Sequence, residues 1–281
     1  MADLVAGAGR TRLAVLGSPI AHSKSPLIHN AAYDVLGLPW TYDRSEVTGA
    51  ALGDYLGTLD ESWRGLSLTM PLKRDVLPFL TDSDPLVDTV GAANTVLFGD
   101  DRIRGFNTDV FGVEQSFRDA GVTSLGTVLV LGGGATAASV IAGVARLGAS
   151  AVTLSVRTPT KAQALAVLGA RLGIDVVVRT WGDVADVTPD AVVSTVPGGQ
   201  NDLEFPAPLR AHSVLFDVAY DPWPSNAAQQ WMDVGGGVIP GIDLLVNQAV
   251  GQIRVFVAGD PEVPLPREPE VIAAMRAAVG A

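Results

Sequence analysis

The clearest chemistry in this sequence lies in a glycine turn followed by a small group of cationic and hydroxyl side chains. The segment TVLVLGGGATAASVIAGVARLGASAVTLSVRTPTKA reads as strand, glycine turn, helix, strand and basic loop. Gly132, Gly133 and Gly134 would let the backbone approach a pyrophosphate, and the helix opened by Ala135 and Thr136 would turn its positive end and free N–H groups toward it. The other reading is a tight turn that serves packing alone. The next strand separates the nicotinamide cofactors. An NAD site commonly carries Asp or Glu about 20 residues beyond the glycines to hold the ribose 2′-hydroxyl. Here no acidic residue occurs between Gly132 and Asp175, and Arg157, Thr158 and Lys161 stand in its place. Those donors suit a 2′-phosphate, so NADP is favoured over NAD, against the alternative of a merely solvated loop.

A second group lies near the N-terminus. Ser23 and Ser25 flank Lys24 just before a helix start, where two hydroxyls and the first unpaired N–H groups could converge on a carboxylate. The plainer reading makes Ser25 the helix cap ahead of Pro26. His22, His29 and His212 share no helical face or carboxylate cluster, so no metal site is expected and no histidine is given a catalytic role.

These residues need elements to place them, and the composition supplies a packed protein. The chain has 281 residues, 48% hydrophobic and 17% charged, with a formal charge of −11 and no cysteine. That excludes disorder, disulfides and thiol chemistry. The acidic balance and the lack of a basic run argue against nucleic acid as a partner, so an anionic ligand needs local donors. The uncharged part of 120–145 is broken by its glycines and reads as strand, turn and helix rather than a membrane span. The start, MADLVAGAGR, has Asp3 and no long apolar core of a leader peptide, which predicts a cytoplasmic protein without membrane contact.

Apolar β-rich runs near 12–16, 39–46, 65–69, 127–131, 151–155, 175–178, 191–194 and 213–217 alternate with helical stretches, the rhythm of α/β folds with parallel sheets. Thr69-Met70-Pro71 predicts a helix over 71–80. A helix from Asp109 to about 120 opens a second rhythm. Helical spacing of Ile242, Leu245, Val246, Ala249, Ile253 and Phe256 predicts a helix over 242–257 that returns to the first domain. The prolines from Pro261 to Pro269 predict irregular chain before a short closing helix. The expected domains are 1–109 plus 239–281, for substrate and catalysis, and 110–238, a Rossmann-like NADP domain, with the active site in the cleft between them.

The motifs LGSPIAHSKSPLIHNAAYDVLGL, GLSLTMPLK, GAANTV, GFNTDVFG, the glycine turn, the basic loop, YDPWPS and GIDLLVNQA follow one another from Leu16 to Ala249. In content and order the sequence resembles the shikimate dehydrogenase family, whose members include quinate/shikimate enzymes. The resemblance implies reversible NADPH-dependent reduction of 3-dehydroshikimate to shikimate, a step toward chorismate and the aromatic amino acids. It implies that Ser23 and Ser25 hold the substrate carboxylate, while Thr69, Asn94 and Gln248 reach the ring hydroxyls and Tyr220 joins the substrate set. It places Lys73 and Asp109 at the reacting hydroxyl, the lysine as acid/base and the aspartate orienting that hydroxyl. Read without the resemblance, Lys73 is a surface helix residue and Asp109 a helix cap. Thr195, Val218 and Gly241 join Gly132, Gly133, Gly134, Ala135, Thr136, Arg157, Thr158 and Lys161 as implied cofactor residues.

Departures from the family's usual residues are Ser67 for asparagine, Val156 for asparagine, Ala135 for glycine, Leu244 for methionine and Ser225 for threonine. None removes a proposed catalytic group, but Ser67 shortens a side chain near the expected pocket and Val156 removes a polar group near the adenosine. The rival readings are a quinate/shikimate enzyme of relaxed specificity and a module that binds metabolite or nucleotide without turnover. A small-molecule substrate is the expected partner, and the chain is expected to be a monomer or a homodimer.

Overall fold

In this computed structural model, which describes residues 9–99, 102–197 and 201–281, the first β-rich run becomes strand β1 (Arg12–Gly17). The N-terminal stretch containing Asp3 lies outside the described residues. After β1 come α1 (Ser25–Leu36), β2 (Thr41–Glu46), α2 (Leu52–Gly57), β3 (Trp63–Leu68), α3 (Leu72–Asp75), β4 (Asp82–Ser83), α4 (Pro85–Val90), β5 (Thr95–Phe98) and β6 (Ile103–Phe106). They form a sheet of order β2-β1-β3-β5-β6-β4. β1 pairs in parallel with β2 and β3, whereas β5 runs antiparallel to β3 and β6. This sheet is therefore mixed, which the reading of parallel rhythm alone did not include. Leu16, Leu66, Leu72, Val76 and Val96 form part of its buried core.

A second sheet follows α5 (Asp109–Asp119). Its elements are β7 (Thr127–Leu131), α6 (Ala135–Arg146), β8 (Ala151–Val156), α7 (Pro159–Arg171), β9 (Asp175–Thr180), β10 (Ala191–Ser194), α8 (Ala207–His212), β11 (Val214–Asp217), α9 (Asn226–Met232) and β12 (Val238–Pro240). The order is β9-β8-β7-β10-β11-β12, parallel throughout. In chain order this is the 3-2-1-4-5-6 arrangement of a Rossmann fold, in which ligands bind outside the carboxyl ends of the strands where the order reverses. That point lies between β7 and β10. The buried strands read as near-continuous apolar runs because helices cover both faces of such a sheet.

The chain ends with α10 (Gly241–Ala258) and α11 (Glu268–Ala277). Contacts divide the described residues into two compact units. One runs to Thr108 and resumes from Gln248 to Ala281, and the other is Asp109–Asn247. The second division thus falls within α10. Gly65 lets this helix lie against β3, since a Cβ there would meet the Phe256 ring at 2.6 Å and the Val96 carbonyl at 2.5 Å. Arg64 donates from Nε to the Phe256 carbonyl at 2.7 Å, placing a cation at the helix C-terminus. Among the described residues no helix is long and apolar enough to cross a membrane.

Three local expectations need correction. Ser25 is not the N-cap: Lys24 holds that position without a side-chain capping bond, and Ser25 and Pro26 are the first helical residues. The helix expected over 71–80 is a single turn, Leu72–Asp75, followed by a 3₁₀ turn at Leu77–Phe79. Pro78 lacks the N–H that a continuing helix needs and disfavours helical geometry at Leu77. The irregular chain expected through Pro269 ends sooner, because α11 begins at Glu268 and takes Pro269 into its first turn, where no N–H is required.

Candidate functional site

In the first unit Ser23 and Ser25 stand at a helix start, Thr69 and Asn94 beside strand ends, Lys73 on a short helix and Gln248 within α10, while Asp109 and Tyr220 belong to the second unit. The Ser25 N–H donates to Ser23 Oγ at 3.3 Å, so the two serines form one turn at the start of α1. Ser25 is buried and Ser23 half-buried. Thr69 follows β3, and its N–H donates to the Leu16 carbonyl at 2.9 Å. Gly17 makes room for it, since a Cβ at that position would collide with the Thr69 methyl group. Lys73 sits half-buried on α3, and its carbonyl accepts the Ala93 N–H at 2.8 Å, beside Asn94.

Asn94 is held from several sides. Its Oδ1 accepts the Thr108 N–H at 2.9 Å and the Thr95 hydroxyl at 2.9 Å. Its Nδ2 donates to Thr108 Oγ1 at 3.0 Å and to Gln248 Oε1 at 3.4 Å. Asn94 and Gln248, 154 residues apart, are therefore brought together as buried neighbours. With these bonds fixing which end of each amide donates, the pair can present defined donors and acceptors to ligand hydroxyls. Asp109 is buried and opens α5 directly after Thr108.

Ser67 pairs with another side chain of the first unit. It is buried on β3 and donates to Gln252 Oε1 at 2.8 Å, part of a polar group that residue types along the chain did not announce. His29 belongs to the same group: fully buried, it stacks on Tyr42 at 3.9 Å, and burial pushes its pKa from 6.5 down to about 3 despite a hydrogen bond to Gln252. It is neutral at any physiological pH. His22 and His212 are exposed. Among the described residues no three carboxylates or imidazoles gather as a metal site would require.

In the second unit the glycine turn and the basic loop meet. A pocket of about 230 Å³ is lined by Gly132, Gly133, Val156, Arg157, Thr158, Lys161, Ala162, Trp181, Val196 and Pro197. Gly132 has φ +107°, and a Cβ there would lie 2.5 Å from Thr195 Oγ1, so the turn depends on glycine. Thr195 itself donates from Oγ1 to the Leu131 carbonyl at 2.8 Å, which fixes the ends of β7 and β10. Gly134 is the N-cap of α6, with Ala135 and Thr136 in its first turn, and Thr158 is the N-cap of α7. Arg157, Thr158 and Lys161 line this pocket and are exposed, a donor set suited to a doubly charged group. These residues fit a dinucleotide phosphate: a close backbone turn, a helix N-terminus and external cations.

Val156 is buried against that turn, where a Gly133 Cβ would lie 3.1 Å from its Cγ1, so this wall of the pocket is apolar. Trp181 adds to it, with its ring N–H donating to Asp202 Oδ1 at 3.0 Å. Sequence reasoning missed this tryptophan. A usable signal existed, because Trp181 follows the carboxyl end of β9 as Arg157 follows that of β8.

Val218 and Gly241 also meet, since a Cβ on Gly241 would collide with the Val218 carbonyl. Tyr220 is half-buried in the loop after β11. Ser225 anchors that loop: its hydroxyl donates to Asp217 Oδ2 at 2.5 Å and accepts the Ala228 N–H at 3.0 Å as the cap of α9. A serine hydroxyl therefore makes the contacts available to a threonine at this position. Burial raises the Asp217 pKa against the opposing hydrogen bonds from Ser225 and Ala219.

Comparison with known proteins bears on the whole arrangement. A family model described as the shikimate dehydrogenase substrate binding domain matches residues 15–96. Shikimate dehydrogenase (NADP(+)) of Ignicoccus hospitalis is 32% identical over 252 residues, covering 88% of this chain and 94% of that protein. The crystal structure of Mycobacterium tuberculosis shikimate dehydrogenase is 37% identical and superposes with a TM-score of 0.82, covering 96% of this chain and 99% of the other. Shikimate 5-dehydrogenase of Thermus thermophilus, solved with NADP(H) and shikimate, gives 30% identity and a TM-score of 0.81, with 95% and 99% covered. Matching nearly end to end in both sequence and fold, the chain belongs to the shikimate dehydrogenase family.

Proposed function

We propose that this chain is an NADP-dependent shikimate dehydrogenase, reducing 3-dehydroshikimate reversibly to shikimate on the route to chorismate and the aromatic amino acids. The observation that carries the reading is the pocket in which the Gly132–Gly133 turn meets Arg157, Thr158 and Lys161, and the buried Asn94–Gln248 amide pair supports it separately. A biosynthetic step of this kind belongs in the cytoplasm.

NADPH, when bound, supplies the hydride that reduces the substrate carbonyl carbon. Gly132, Gly133, Gly134, Ala135 and Thr136 receive its pyrophosphate at the start of α6, while Arg157, Thr158 and Lys161 neutralise the 2′-phosphate. Val156 and Trp181 offer the apolar wall, and Thr195, Val218 and Gly241 line the remainder of the cofactor's path. On the substrate side Ser23 and Ser25 take the carboxylate through hydroxyl and N–H donors. Thr69, Asn94, Tyr220 and Gln248 orient the ring through its hydroxyls.

Lys73 gives its proton to the carbonyl oxygen during reduction and takes it back from the hydroxyl during oxidation. Asp109 accepts a hydrogen bond from the same hydroxyl and keeps it aligned. Excluding water from the reacting atoms would protect the transfer.

The experiment uses NADPH deuterated at the transferring carbon. Shikimate bearing deuterium on the newly formed carbinol carbon is the expected product. Cofactor binding without any labelled product would return the reading to a non-catalytic binding module.

A further inference from the structure

Gln252 takes no part in the chemistry above, yet it bonds to several of the elements that carry the site. It lies one helical turn beyond Gln248 on α10 and is 2% exposed. Its Nε2 donates to the Asn94 carbonyl at 3.3 Å, and its Oε1 accepts the Ser67 hydroxyl at 2.8 Å. The same oxygen lies 3.1 Å from His29 Nε2. An amide oxygen can only accept, so neutral His29 carries its proton on Nε2, and Nδ1 accepts the Tyr33 hydroxyl at 3.2 Å.

These partners lie on separate segments. His29 is on α1, whose first residue is Ser25; Ser67 is on β3, which leads to Thr69 and Lys73; Asn94 precedes β5. A buried amide adds little net stability, since it exchanges bonds with water for bonds within the protein, but removing it alone leaves its buried partners unsatisfied. What a fully paired amide provides is a single arrangement of its neighbours.

We propose that Gln252 is a positioning residue, setting the carboxylate-binding start of α1 and the hydroxyl-binding residues Thr69, Asn94 and Gln248 in the register that one substrate ring requires. The inference rests on the reading of this site as the shikimate site. Gln252 acts through Asn94, Ser67 and His29 and does not touch the ring.

Steady-state kinetics on the full chain test it with Gln252→Met, which keeps length and removes all three bonds, and Gln252→Glu, which keeps the shape. We expect Gln252→Met to raise KM for shikimate about tenfold, with KM for NADP within about twofold of wild type, and to lower the unfolding midpoint because three buried groups lose their partner. In Gln252→Glu a protonated carboxyl can still donate to the Asn94 carbonyl and an ionised one cannot. The ratio of its shikimate KM to that of wild type should therefore climb with pH, a rescue that a merely structural role would not give.

An unchanged shikimate KM in Gln252→Met, or equal rises for shikimate and NADP, would overturn the proposal. Should Gln252→Met fail to fold, a pH-independent KM ratio in Gln252→Glu would overturn it equally. Wild-type protein inactive with shikimate would instead sink the reading of the site, and this inference with it.

Discussion

Three side chains carry the residue-scale expectations. Lys73→Ala should leave the fold and shikimate binding in place while turnover falls by about 10²–10⁴, the usual contribution of a positioned acid/base. Near-wild-type turnover in a folded, shikimate-binding variant would remove Lys73 from that role. Arg157→Ala removes a charge-assisted contact worth about 1.5–3 kcal/mol, so KM for NADP should rise about tenfold or more while KM for NAD stays put. Equal changes for both cofactors would dismiss the 2′-phosphate contact. His29 yields a pH signature: the folded chain holds it neutral down to about pH 3, whereas the unfolded chain protonates it below 6.5. Its contribution is whole above pH 6.5 and is lost as pH falls from there toward 3, at up to about 1.4 kcal/mol per pH unit. Denaturant unfolding should show a steeper acid decline in wild type than in His29→Gln, and parallel declines would contradict it.

At the scale of elements, the glycine turn makes the sharpest claim. Gly132→Ala must place a Cβ at φ +107° and 2.5 Å from Thr195 Oγ1, so it should destabilise the second unit by about 1–3 kcal/mol and weaken NADP binding. Unaltered thermal midpoint and NADP affinity would show that the turn tolerates what its geometry forbids. This turn was legible in the sequence because its signal is local: a β-rich run, three glycines and a small-residue helix in one stretch. The basic loop was legible for the same reason. β5 and β6 were not, since four-residue strands such as TVLF and IRGF carry too little alternation to stand out. The polar group around Gln252 was hidden more deeply. His29 and Ser67 lie 223 and 185 residues away from it, and only the packing of α10 on the first sheet brings them together. Asn94 and Gln248 were reached only through motif resemblance, for a buried amide has no periodicity of its own.

Over the whole molecule, a chain of net charge −11 is assigned two anionic ligands. In the proposed reading the cations that admit them are few and local, Arg157 and Lys161 in the lining of one pocket, while hydroxyls and N–H groups supply the contacts at the serine turn. Such placement gives specificity without a generally basic surface. It also makes the pairing of substrate and cofactor the claim most exposed to test. Reduced-nicotinamide absorbance should be followed with purified protein, crossing shikimate and quinate with NADP and NAD. We expect rapid reduction with shikimate and NADP, and far slower rates in the other three combinations. Comparable rates with quinate or NAD would contradict the assigned specificity, and silence in all four would contradict the assigned reaction.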